Sequence, residues 1–274
     1  MNWLPGAFAV FVLMLSAACA EPARPSPDVY RGCAQPVGRS PEGVLEVCGR
    51  LDRALVQSAV SQLEPTDKAL VLTSGGGISP AAMTLARALN ARGMTVRVRG
   101  FCLSACSTYV LLTARNVIVE PGAIVAFHHT GANGLEAIAY RSHRPVPPAV
   151  PQPAADERAF FEEAGLDPTL LDRLGMAVEP SCFGIRTRAQ GGRERVMNYR
   201  WSWFIPAHAE AEAMFRGRLS GYWPSSAGEA EQAFAALSGH TGTRVKYGSL
   251  PPPTAPADLA ATLPTCAGSL TPEG

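Results

Sequence analysis

Two hydrophobic rhythms take turns along the first half of the chain. "GVLEVCGRL" (43–51) alternates apolar and polar residues, which predicts a strand. "DRALVQSAVSQL" (52–63) switches to helical spacing, with Leu55, Val56, Ala59, Val60 and Leu63 on one face and Asp52 placed to cap the first turn. "KALVLTS" (68–74) is a short, continuous apolar run of the kind buried on both faces in a parallel sheet. The glycines at 75–77 break it. "SPAAMTLARALNARG" (79–93) reads as a helix, with Ser79 as cap, Pro80 in the first turn and Gly93 at the end. "MTVRVRG" (94–100) reads as a strand and "SACSTYVLLTAR" (104–115) as a helix. "NVIVEPGAIVAFHHT" (116–130) holds two short extended runs around Pro121-Gly122. Strands alternating with single helices point to parallel βαβ units, because parallel neighbours need a crossover. The expected class is α/β with a parallel sheet.

Outside 43–130 the pattern loosens. Residues 21–42 are rich in Pro, Gly and Ser and read as an irregular lead-in. Residues 143–155 form a Pro-rich insertion, and "RPVPPAVPQPAA" (144–155) excludes a helix or a central strand. Helical spacing returns over 156–175. Residues 176–250 are mixed and contain the aromatic patch "YRWSWF", and 251–274 form a Pro-rich tail that Cys266 ties down. The expected organisation is one α/β domain over 43–250, interrupted by the insertion.

The N-terminus changes the picture of where this domain works. Residues 7–15 are almost wholly apolar, and Ala18-Cys19-Ala20 follows the A-x-A cleavage pattern. Residues 1–20 therefore read as a signal peptide, and cleavage would leave Glu21 first in an exported protein, periplasmic or secreted. The competing reading is a lipoprotein anchored through Cys19, although Ser16 stands where a lipobox has an aliphatic residue. The apolar run is short for a membrane span of about 20 residues. Of the seven cysteines, six remain after cleavage, and an even number in an exported chain points to disulfides. Cys102 and Cys106 flank one turn, Cys33 and Cys48 flank a possible hairpin, and Cys182 and Cys266 are paired by elimination. A net charge of +1 offers no clustered basic excess, so nucleic acid is not an expected partner.

Candidate chemistry centres on "RVRGFCLSACSTYVLL" (97–112). Ser104 falls where a strand turns into a helix. There a hydroxyl is presented outward, and the first helical N–H groups lack intrahelical partners. Such a turn needs small neighbours, glycines in G-x-S-x-G and here Cys102 and Cys106. The plainer reading is a helix-capping serine. "LTSGGG" lets backbone approach a ligand. It lacks the P-loop lysine, and Pro80 has no N–H for a phosphate, so an oxyanion donor fits better. His128 and His129 are adjacent on an expected strand and so should point to opposite faces, only one of them toward Ser104. No metal-binding spacing is present, and neither a metal nor another cofactor is expected.

In this order, "SGGG", "CLSAC" and "PGAIVAFHH" resemble the motifs of the Clp protease proteolytic subunit and signal peptide peptidase A group, within the crotonase-like fold. The chain is similar in particular to predicted periplasmic Clp-like proteins with a C-x-S-A-C turn. The resemblance implies a spiral of βαβ units. It makes Ser104 the nucleophile and His128 the base, since Pro121 to His128 keeps the family spacing, and it assigns the oxyanion hole to the N–H groups of Gly76 and Ala105. Gly75 replaces the usual proline. Where the family has its aspartate this chain has Ser202, with Asn198 nearby and Asp156, Asp167 and Asp172 earlier. The implied function is a secreted or periplasmic serine hydrolase, a peptidase with a peptide or protein substrate. The alternative is a catalytically silent binding or scaffolding protein on the same fold. The insertion lies where the Clp subunit has its oligomerising handle, so a ring is not carried over, although a homo-oligomer stays open. An ATP-dependent unfoldase is not expected as a partner outside the cytoplasm.

Overall fold

The structure is a computed structural model that describes residues 33–142, 153–187, 192–238 and 243–267. The expected signal peptide, Cys19, most of the lead-in and of the Pro-rich stretch, and the end of the tail lie outside the described residues.

A seven-stranded sheet organises the fold. Its strands are β1 (Val37–Arg39), β2 (Leu45–Cys48), β3 (Ala69–Ser74), β4 (Thr95–Leu103), β5 (Asn116–Val119), β6 (Ile124–Ala126) and β10 (Leu219–Gly221). The order is β1-β2-β3-β4-β5-β10, with β6 also paired to β4. Only the β1–β2 pairing is antiparallel. The expected class, α/β with a mostly parallel sheet, is the one observed. Leu70, Val71 and Leu72 of β3 are all buried, as a continuous apolar run in a central strand requires. In β4 the alternation separates Val96 and Val98, inside, from Arg97 and Arg99, which pair outward with Glu120 and Glu46.

Helices α1 (Arg53–Ser61) and α2 (Ser79–Ala91) cross between parallel strands, and a short π-helix (Cys106–Leu111) follows β4. Right-handed crossovers advancing in one direction place their helices on one side of the sheet. Accordingly α1 packs on α2, and α2 on the π-helix. Asp52 caps α1 as expected, its carboxylate accepting from Leu55 N–H at 2.9 Å. Ser79 instead lies inside α2. Gly77 and Ile78 remain extended and pair with Leu51, and Ile78 takes the cap position, so the helix starts one residue earlier than a Ser79 cap requires.

β4 changes partners midway. Thr95–Val98 pair with β5 and Phe101–Leu103 with β6. Gly100 sits at the fork with φ 67°, a left-handed conformation that glycine adopts at little cost. The fork brings the end of β6 beside the end of β4.

The second half covers this core. α3 (Gly131–Ser142), α4 (Pro153–Glu163) and α5 (Thr169–Ala177) form one group, followed by the hairpin of β7 (Pro180–Thr187) and β8 (Arg193–Tyr199). β9 (Trp203–Pro206) pairs with β11 (Val245–Gly248), while α6 (His208–Phe215), α7 (Ala227–Ser238) and α8 (Pro256–Thr262) complete the chain. α4 begins at Pro153, inside the stretch read as non-helical. A proline is tolerated in a helix's first turn, where its missing N–H would have had no partner. Tyr109 of the π-helix meets Phe160 and Phe161 of α4 edge-on, which anchors α4 to the core. The three cysteine pairs expected from the sequence are bonded: Cys33–Cys48, Cys102–Cys106 and Cys182–Cys266, with Cα atoms 6.1, 5.3 and 5.0 Å apart. Among the described residues no helix is long and apolar enough to cross a membrane.

Candidate active site

The parallel register of β4 and β6 builds the site. Leu103 lies opposite Ala126, so the residues just past the two strand ends, Ser104 and Phe127 onward, come together. Ser104 N–H donates to Ala126 O at 3.2 Å. The serine takes φ 58°, in the left-handed region that a non-glycine residue occupies at a cost of roughly 1–2 kcal/mol. Several features hold it there. The Cys102–Cys106 disulfide closes around it, with both cysteines fully buried. The single hydroxyl proton of Ser107 is shared between Ser104 O, at 2.9 Å, and Ala126 O, at 2.7 Å. Thr108 N–H also bonds Ser104 O, at 2.9 Å. The following helix is wound wide, with Leu112 N–H reaching back five residues to Ser107 O. Single π-turns of this kind are frequent at functional sites.

Gly76 packs directly against this turn. A Cβ there would lie 2.5 Å from Ser104 Cβ, 2.7 Å from Leu103 O and 2.9 Å from Ala105 N, so only glycine fits. At Gly77 a Cβ would meet Leu51 O at 2.2 Å. The loop therefore approaches the serine as expected, but the Gly76 N–H is already engaged, donating to the buried Ser74 Oγ at 3.1 Å. The sequence shows the glycines but not this local turn, which points the amide of Gly76 back at Ser74. Ala105, the first residue past the serine, has its N–H at the start of the helix, and its nitrogen borders the space that the missing Cβ of Gly76 leaves open, 2.9 Å from where that atom would lie.

His128 Nε2 stands 2.5 Å from Ser104 Oγ. His129 does not point to the opposite face. β6 ends at Ala126, and Phe127 pairs with Phe204 in an antiparallel bridge, N–H to O at 2.8 and 2.7 Å in the two directions. Strand alternation therefore stops before the histidines. Their Nδ1 atoms face each other at 3.4 Å. The same bridge places Trp203 beside His128, edge-on at 5.0 Å between ring centroids. His129 stacks flat on Tyr199, 4.1 Å apart at 10°. The aromatic patch "YRWSWF" is thus the far wall of the site, and its cluster of rings was the one signal for it in the sequence.

Among the described residues no carboxylate joins the pair. Asp172 accepts from Asn133 Nδ2 at 2.7 Å and is gripped by both terminal nitrogens of Arg158, at 2.8 and 3.1 Å. Asn133 also accepts from Thr130 Oγ1. Asp156 and Asp167 are exposed, and Asp167 caps Thr169 N–H at 2.9 Å. Ser202 is exposed as well, and Asn198 Nδ2 faces Cys266 Sγ. Burial lowers His128 to about 4, opposed by a hydrogen bond to the His129 backbone. Burial, reinforced by His128, lowers His129 to about 3. Both rings are neutral near pH 7, so His128 is free to accept a proton from Ser104. Burial also pushes the Tyr199 phenol up, which keeps it neutral. Among the described residues, no cluster of three or more His, Cys, Asp or Glu side chains is placed to hold a metal ion.

No family model and no curated protein matches the chain. Among solved structures it is similar to ClpP1 from Listeria monocytogenes, at 16% identity and a TM-score of 0.34, over 46% of this chain and 74% of that one. A point mutant of the same protein matches at 15% identity and a TM-score of 0.33, over the same shares of each chain.

Proposed function

We propose that this protein is an exported serine hydrolase, a peptidase acting on a peptide or protein substrate, with Ser104 as nucleophile and His128 as general base. The observation that carries the reading is the 2.5 Å contact between Ser104 Oγ and His128 Nε2 at a left-handed strand-to-helix turn. A serine hydroxyl is a weak nucleophile until a base within hydrogen-bond reach takes its proton. In the proposed cycle Ser104 Oγ bonds to the substrate carbonyl carbon as its proton passes to His128 Nε2. The carbonyl oxygen becomes an oxyanion, accepting from Ala105 N–H and from the glycine loop at Gly76 once that amide turns from Ser74. His128 returns the proton to the leaving amine as the C–N bond breaks. Water then repeats the sequence on the acyl-serine and frees Ser104. The three disulfides support an oxidising, exported location.

The second reading, a silent binding protein, draws on one observation: among the described residues no carboxylate reaches His128. The test that separates them is labelling of the folded, oxidised protein with a fluorophosphonate probe. Labelling of wild type on the Ser104 peptide, abolished in both Ser104→Ala and His128→Ala, is the expected outcome. Folded wild type that neither labels nor cleaves an unstructured peptide overturns the hydrolase reading.

A further inference from the structure

We infer that His129 is the positioning residue of this site, its side-chain Nδ1 accepting the Nδ1–H of His128 where a serine-histidine-aspartate triad has a carboxylate. The kinetic part of this inference rests on the hydrolase reading above; the proton placement does not. A neutral imidazole carries one N–H and one acceptor nitrogen. His128 Nε2 lies at Ser104 Oγ, and to receive the hydroxyl proton it must be the bare nitrogen. The ring proton of His128 is then on Nδ1, where the His129 backbone and the His129 ring share it. That nitrogen faces His129 Nδ1 at 3.4 Å, and two N–H groups pointed at each other would repel. His129 Nδ1 is therefore the bare acceptor, and its proton sits on Nε2. The chain of donors runs one way, from Ser104 through His128 to His129.

The fold holds His129 for this purpose. Its ring lies flat on Tyr199, and Tyr199 ends β8, so the hairpin sets the ring plane. The termination of β6 at Ala126 lets both rings lie on one side. The titratable groups facing the pair are the two rings themselves, Ser104 from the end of β4 and Tyr199 from β8; no charged group acts on either ring among the described residues. A neutral acceptor orients the base without the full stabilisation that a carboxylate gives an imidazolium. The site is thus expected to be slower than a triad and to hold its rate constant above about pH 6, with His128 charging only near pH 4.

The first experiment is nitrogen-15 NMR of the histidine rings in folded wild type at pH 7. The expected result is an Nδ1–H tautomer for His128 and an Nε2–H tautomer for His129. An Nδ1–H tautomer at His129 overturns the inference whether or not the protein is active. The second measures fluorophosphonate labelling against pH. His129→Phe keeps a ring on Tyr199 but accepts nothing, and labelling is expected to fall about 10- to 100-fold with the unfolding midpoint unchanged, less than the roughly 10⁴-fold cost of disabling a triad aspartate. His129→Asp is expected to restore labelling and move the pH midpoint upward, since a carboxylate favours the protonated ring. His129→Phe labelling as fast as wild type overturns the positioning role. Failure of wild type to label bears on the hydrolase reading, and the tautomers then decide the inference alone.

Discussion

Removing the disulfide around Ser104 separates two roles that a bond in a buried turn can play. In the double variant Cys102→Ala and Cys106→Ala the fold loses a cross-link spanning four positions. Closing so short a loop contributes about 2 kcal/mol through the unfolded chain. The local effect is larger in consequence. Ser104 at φ 58° is held about 1–2 kcal/mol above a relaxed backbone. Without the clasp, the turn relaxes toward conformations with negative φ that carry Oγ away from His128. One to two kcal/mol is a factor of roughly 5–30 in population. The expected result is an unfolding free energy lower by about 2 kcal/mol, measured in urea, and fluorophosphonate labelling slower by about 5- to 30-fold at pH 7, well below the unfolding transition. Alanine is the right replacement, because both positions are fully buried and a serine would bring an extra hydroxyl. A variant that is less stable but labels at the wild-type rate would refute the reasoning: the remaining contacts from Ser107, Thr108 and Gly76 would then hold the turn unaided.

Gly76→Ala places a methyl 2.5 Å from Ser104 Cβ on backbone at φ 90°, and is expected to cost about 2–4 kcal/mol in chemical denaturation and to abolish labelling by covering Ala105 N–H. Acid should destabilise the protein through His128: its folded value near 4 lies below the usual 6.5, so its contribution is complete above about pH 6.5 and drains as pH falls to 4. Urea titrations at pH 7 and pH 4 should show wild type losing about 3 kcal/mol more than His128→Asn, and parallel losses in both proteins would count against a buried neutral ring. Replacing Cys182 and Cys266 by alanine opens a loop of 84 positions and should lower stability by about 4–5 kcal/mol while leaving the Ser104 labelling rate of the folded fraction unchanged, as thermal melts and labelling would report.

The parts legible in the sequence were those governed by short-range spacing. Ser104 between two cysteines and His128 seven places after Pro121 are local patterns, and the structure brings those two side chains into contact. The disulfide within the turn was equally local. His129 was misplaced because strand alternation was extended past Ala126, and the bridge that ends it involves Phe204, 77 positions away (204 − 127). The direction of the Gly76 amide depends on one side chain, Ser74, that reads as an ordinary strand residue. A missing acid leaves no trace of what replaces it. The ring stack on Tyr199 arises from a hairpin whose position along the chain says nothing about where it docks.

β10 carries a consequence for the order in which this molecule is made. Its neighbour Arg218 donates from its guanidinium to Leu112 O at 2.8 Å and to Ala114 O, closing the far end of the helix that Ser104 opens. Val117 N–H bonds Arg218 O at 2.8 Å, and Leu219 takes the free side of β5. These residues are synthesised about a hundred positions after the serine, and Phe204 and Trp203 arrive only slightly earlier. A chain that emerges N-terminus first therefore has its serine turn long before it has the wall behind His128, the cap on the helix or the cover on β5. Until then β5 is an open edge, a site for wrong pairing between chains. A stalled or clipped chain can hold the β4–β6 register and still lack Phe204 and Trp203, so the bridge at Phe127 and the ring beside His128 are added last.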